Sequence, residues 1–159
     1  MTVRVHPAPT LYVDADACPV KEEVYRVAAR HLVPVLLVAN QALQLPRWGD
    51  VRSVIVGRDF DAADDWIAER VTSRDVVVTS DLPLASRCLA AGARVLGCDG
   101  RELTDDSIGG ALAMRGLKAE LREMGVSTGG PRPLGDRDRS RFSNELDRIV
   151  RDVVRVAAE

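Results

Sequence analysis

Short apolar runs alternating with helical patterns constrain this chain most. Leu11–Val13, Val33–Asn40, Val51–Gly57, Asp75–Ser80 and Ala93–Gly97 are each three to eight residues long, rich in Val and Leu, and closed by polar or glycine positions. Runs this apolar do not alternate polar with apolar, so both faces of their sheet must be covered. Between them lie segments with helical spacing. Val20, Val24, Val27 and Ala28 share one face, and Pro19 with Glu22 and Glu23 marks a helix start. Asp61–Val71 turns Ala63, Trp66, Ile67 and Val71 inward, and Asp81–Gly92 opens after a strand and stops at a glycine. The order predicts an α/β fold: a three-layer α/β/α domain around a central, mostly parallel five-stranded sheet.

Beyond Thr104 the pattern is helical through Leu112, Leu117 and Leu121. Residues 125–141, "GVSTGGPRPLGDRDRSR", are rich in Gly, Pro and Arg and predict an exposed segment too broken for a stable helix. A C-terminal helix follows, because Phe142, Leu146, Ile149, Val150, Val153, Val154 and Ala157 recur on one face. With 159 residues the chain predicts a single domain, 1–159. No apolar run approaches the ~18 residues of a membrane span, and no signal peptide is evident. Cys18, Cys88 and Cys98 are odd in number and lack a CxxC spacing, which predicts reduced thiols in a cytoplasm. The net charge of −2 gives no global attraction to nucleic acid, although acids concentrate early and arginines late.

The carboxylates fall where such a sheet binds ligands, at the carboxyl ends of its strands. Asp14 and Asp16 follow the first strand in "LYVDADACPVKEEV", and Asp81 follows the fourth. Asp61, Asp64 and Asp65 lie after the third at spacings that share a helical face. Like charges this close raise one another's pKa unless a cation intervenes. Oxygen-only ligation selects Mg2+ or Mn2+, and with only His6 and His31 available a zinc site is not expected. Each acid also has an ordinary reading: Asp16 and Asp81 as helix N-caps, Asp64 and Asp65 as a solvated face. Cys18 reads as a small buried residue and Trp66 as core.

The stretches "DADACPVK", "VAN", "FDAADD", "VVTSDLPLASRCLAAGA", "AMRG" and "GVSTGGPRPLGDRDRSRF" resemble the YaiI/YqxD family of bacterial proteins, from about Tyr12 to Leu146. That family resembles the PIN-like nuclease superfamily. The resemblance implies a PIN-like domain with an acidic metal site: Asp14 and Asp16 after strand one, Asp61 and Asp64 in the middle segment, and Asp81 after strand four. It implies Asp14, Asp16, Asp64 and Asp81 as catalytic acids, Mg2+ or Mn2+ as cofactor, and nucleic acid, RNA first, as substrate. Lys21, Arg132, Arg137 and Arg139 are the candidate phosphate-binding residues. Two departures stand out. PIN nucleases carry a further acid soon after the position of Asp81, and Leu82–Ala93 has none; "GCDGRE" also lacks the expected Asn-Pro at Cys98-Asp99.

Two other functions compete with a metal-dependent nuclease. One is a non-catalytic nucleic-acid or protein-binding module of the same fold. The other is a haloacid-dehalogenase-type phosphatase, which also places Asp-x-Asp after its first strand. Its later basic residue has no good counterpart, because Lys118 follows every strand.

Overall fold

The computed structural model describes residues 9–125 and 133–158. Six strands form one sheet: β1 (Leu11–Asp14), β2 (Val35–Ala39), β3 (Val51–Ile55), β4 (Val76–Val78), β5 (Arg94–Leu96) and β6 (Glu102–Leu103). Their order is β3-β2-β1-β4-β5-β6, parallel throughout except for β6, which runs antiparallel to β5. The five expected strands are all present. The sixth is two residues long, too short to leave a periodic signal.

The helices are α1 (Lys21–Arg30), α2 (Ala62–Arg70), α3 (Leu82–Ala90), α4 (Asp105–Glu123) and α5 (Asp136–Ala157), with one 3-10 turn at Ala15–Ala17. Strand alternation divides the core into two halves. Leu11, Val13, Val76 and Val78 face α1 and α5, packing with Val24, Val27, Phe142, Leu146 and Ile149. Tyr12 and Val77 face the opposite way, toward Ile67, Leu84, Cys88 and Ile108 of α2, α3 and α4. The result is the three-layer α/β/α arrangement.

Two local readings change. Asp16 does not cap α1, whose N-cap is Val20 with no side-chain bond; Pro19 lies just ahead of the first turn. The exposed segment predicted at 125–141 also ends earlier, because α5 begins at Asp136 and includes Arg137, Arg139 and Arg141. Residues 126–132, including Arg132, lie outside those described. The helix extends back to Asp136 for two reasons. Asp136 and Asp138 put negative charge in its first turn, and the Asp138 Oδ2 accepts from the Gly135 N–H at 3.1 Å. The apolar stripe that begins at fully buried Phe142 then anchors it to the sheet. Arg139 locks this end to α1, donating to the Pro19 carbonyl at 2.9 Å and to the Glu23 Oε1 at 3.2 Å. Farther along, Arg94 on β5 joins Glu102 on β6 at 2.8 Å and Asp152 on α5 at 3.2 Å.

Phe142 also abuts Gly100 in the turn between β5 and β6. Gly100 has φ +86°, and a Cβ there would stand 3.0 Å from the Phe142 backbone nitrogen. Phe142→Ala should therefore cost about 3–5 kcal/mol. Gly100→Ala should also destabilise, through strain at both its φ and the α5 backbone. Gly57→Ala, where no atom lies within 4 Å of the added carbon, should change stability by less than ~0.5 kcal/mol. Urea unfolding of the three variants measures this ranking.

Candidate metal and phosphate site

The sheet grows in one direction from β1 through β2 to β3, and then returns to place β4 on the other side of β1. Adjacent parallel strands whose connections leave in opposite directions open a crevice at their carboxyl ends. Asp14 is the last residue of β1, and Thr79, Ser80 and Asp81 follow β4 directly. These residues flank that crevice.

Their geometry is fixed by one hydroxyl. Thr79 is buried, and its Oγ1 donates to the Asp14 Oδ2 at 3.1 Å. The same oxygen accepts from the Asp81 N–H at 3.0 Å. The Asp81 Oδ1 in turn accepts from the Leu84 N–H at 2.9 Å, capping α3. The ordinary reading of Asp81 as an N-cap is thus correct, and it holds the carboxylate at the crevice. Asp16 is exposed in the 3-10 turn, and both its oxygens accept from the Asn40 N–H, at 3.1 and 3.3 Å, at the end of β2.

A cavity of about 480 Å³ opens here, lined by Asp14, Ala17, Ser80, Asp81, Leu82, Cys98 and Arg115. Arg115, exposed on α4, is the basic residue of this lining. Sequence reasoning did not single it out; the only available signal was its place in "AMRG". Ser80, whose Oγ accepts from the Cys98 N–H at 3.2 Å, was likewise missed.

Burial pushes the Asp14 carboxyl up from its ordinary value, Thr79 opposes that shift, and Asp81 and Asp16 add to it. Asp64, on α2, is raised to about 6, first by burial and then by the charges of Asp81, Asp14 and Asp61; Arg87 opposes the rise. The Arg87 guanidinium is turned to Asp65, at 2.7 Å. The three acids of α2 therefore divide: Asp61 is the N-cap residue, Asp64 joins the field of Asp14 and Asp81, and Asp65 is held in an ion pair. Cys18 and Cys98 are both buried and hydrogen-bonded to each other. That bond lowers the Cys98 thiol and, with burial, raises Cys18. Trp66 packs 6.2 Å from Tyr12, as expected of a core residue.

The candidate phosphate-binding residues are scattered. Lys21 donates to the Cys18 carbonyl at 2.8 Å at the start of α1 and lines a different groove. Arg139 is engaged with Pro19 and Glu23, so it is a fastening of α5 rather than part of a free arm. Arg137 is exposed on the first turn of α5. Arg115 is the arginine that lines the acidic cavity.

The carboxylates here fit a hard divalent cation, because they are oxygen donors whose mutual repulsion a cation would relieve; the Cys98 thiol lines the same cavity. Among the described residues no three His, Cys, Asp or Glu side chains stand together as a ready-made cage. Mg2+ does not require one, since it keeps several waters and takes one or two carboxylates together with substrate phosphates.

The raised pKa of Asp64 has a consequence for stability. Its folded value, about 6, exceeds the ordinary 3.8, so the folded state holds this proton more tightly than the unfolded chain does. Stability from this group falls as pH rises from about 4 to about 6 and stays lower above that window. Without metal, Asp64→Asn should melt above the wild type at pH 7.5, with the gap closing toward pH 4. A gap independent of pH would contradict the raised Asp64 carboxyl, and with it the burial and neighbouring charges that raise it. In the same melts Asp81→Asn should keep the α3 cap, whereas Asp81→Ala should lose about 1 kcal/mol.

Comparison with known proteins agrees on one family. The family model described as "Uncharacterized BCR, YaiI/YqxD family" matches residues 12–152. A UPF0178 protein of Bradyrhizobium diazoefficiens is 53% identical over 145 residues, covering 91% of this chain and 87% of its own. A UPF0178 protein of Rhodopseudomonas palustris is 52% identical over 145 residues, with 91% and 92% covered. One from Azorhizobium caulinodans is 52% identical over 150 residues, with 94% of each chain covered. The chain belongs to the YaiI/YqxD family.

Proposed function

We propose that this protein is a divalent-metal-dependent phosphodiesterase that cleaves nucleic acid at the crevice between β1 and β4. The observation that carries the proposal is the convergence of Asp14, Asp64 and Asp81 from three parts of the chain into one field, where burial and mutual charge raise Asp14 and Asp64. A fold does not gather like charges at a buried edge for stability, because each raises the cost of the others.

One or two of Asp14, Asp64 and Asp81 would hold Mg2+ or Mn2+ together with water and substrate phosphate, with the other acids, Asp16 and Asp61 included, flanking. The ion, when bound, supplies activation of water and neutralisation of charge on the phosphate. The protein's own groups do the rest. Thr79 fixes Asp14 so that it need not reorganise. The Asn40 N–H holds Asp16 at the rim. Arg115 lines the same cavity and is placed to take phosphate oxygens in pairs. The PIN-like reading of the fold is part of this proposal, and it makes RNA the first substrate to try.

A second reading is a binding module without catalysis. It is favoured by the lack of a three-ligand cage among the described residues, together with the acid-free stretch Leu82–Ala93.

Labelled single-stranded RNA and DNA incubated with Mn2+ or Mg2+ separate the two. The enzyme reading predicts cleavage that EDTA abolishes, and that Asp14→Asn and Asp81→Asn each reduce at least ~100-fold, the scale on which loss of preorganised electrostatics acts. Arg115→Ala should lower cleavage while leaving the melting temperature unchanged. Strand binding by the wild type without cleavage under any divalent ion would give the site to the binding module.

A further inference from the structure

A second groove, of about 450 Å³, lies beside the start of α1, between that helix and the irregular stretch that joins β2 to β3. Lys21, Glu22, Tyr25, Arg47 and Trp48 are among its lining residues. Trp48 is the unusual one. It is 45% exposed in a protein with only six aromatic side chains, two each of Trp, Tyr and Phe. Its ring nonetheless has a fixed setting. Buried Tyr25 meets it edge-on, with centroids 6.5 Å apart and planes at 82°. Gly49, at φ +77°, makes the turn directly after it that leads into β3. A braced, exposed indole loses little conformational entropy when something stacks on it.

The charges around the indole suit a phosphate chain. Arg47 is exposed and makes no ion pair or hydrogen bond among the described residues. Lys21 spends one of its three N–H donors on the Cys18 carbonyl. Glu22 opposes them, leaving the groove with one net positive charge. The groove is also tied to the acidic crevice. The stretch carrying Arg47 and Trp48 begins at Asn40, whose N–H is bonded to Asp16. Lys21 is bonded to Cys18, two residues past Asp16.

We propose that this groove is a nucleotide subsite for an unpaired base of a single strand: the base stacks on Trp48, and Arg47 and Lys21 hold the adjoining phosphates. The subsite rests on the phosphodiesterase reading for its place along the strand, next to the scissile phosphate. A cation beside an aromatic ring is the pairing by which proteins hold single strands with little regard for sequence, because every base has a π-face. A duplex keeps its bases stacked on one another and offers none to the indole.

The test uses the full chain with Ca2+ as the cation, a fluorescein-labelled oligouridylate, and the same strand with abasic residues. Anisotropy gives the affinities, and gels confirm that the strands stay intact. Trp48→Ala should weaken binding of the base-bearing strand by roughly 5- to 150-fold, the range for one lost stack, with Trp48→Phe in between. The abasic strand should bind Trp48→Ala and wild type alike. Arg47→Ala should flatten the salt dependence by about 0.7 per phosphate contact. Circular dichroism melts show which variants are folded. A folded Trp48→Ala that binds the base-bearing strand as tightly as wild type overturns the subsite and leaves the phosphodiesterase reading standing. A wild type that binds neither strand overturns both.

Discussion

Between β1 and β4 the sheet reverses the direction in which it adds strands, and a single hydroxyl spans the reversal. Thr79 donates to Asp14 and accepts from the Asp81 backbone, so the last residue of β1 and the first turn of α3 are set by the same oxygen. That contact gives two acids, 67 residues apart in sequence, one frame of reference. It lies next to the apolar core: Val13 and Val78 pair across the two strands and are fully buried. The acids are therefore held on rigid strand ends, the support a metal or phosphate site needs.

Electrostatically the crevice is out of balance by design of the chain around it. Arg87, the basic residue that lowers Asp64, is drawn off by Asp65. Arg94, Arg139 and Arg148 are all committed to acids elsewhere, fastening α5 to β5, β6 and α1. Arg115 lines the same cavity as Asp14 and Asp81. The protein pairs many of its arginines but leaves two half-buried acids, Asp14 and Asp64, raised at this edge, an imbalance that a cation or a phosphate would relieve on the proposed reading.

Much of this was legible in the sequence, for reasons that differ by element. Apolar runs such as "VVV" and "VLLVA" have to be strands buried on both faces, and the stripe from Phe142 to Val153 has to be a packed helix. The position of Asp14 and Asp81 at strand ends follows from the same pattern. What could not be read is long-range. Arg115 lies in a helix of weak amphipathic pattern, and nothing local says that it lines the cavity beside Asp14. The start of α5 was hidden because Gly135 and Pro133 suggest a broken chain, while the stabilising contacts come from Pro19 and Glu23 more than a hundred residues earlier. Spacing alone makes Asp65 equivalent to Asp64, and only the family resemblance chose Asp64; the ion pair of Asp65 with Arg87, on another helix, separates the two physically.

On the proposed reading, the acids flanking the β1/β4 crevice hold a hard divalent cation. Anomalous scattering from crystals grown with saturating Mn2+ tests it most directly. The account predicts a manganese peak within ~2.0–2.6 Å of carboxylate oxygens of Asp14 or Asp81, with the remaining ligands supplied by water. Well-ordered acids in the crevice with no peak among them, at Mn2+ concentrations that fill other surface sites, would contradict it.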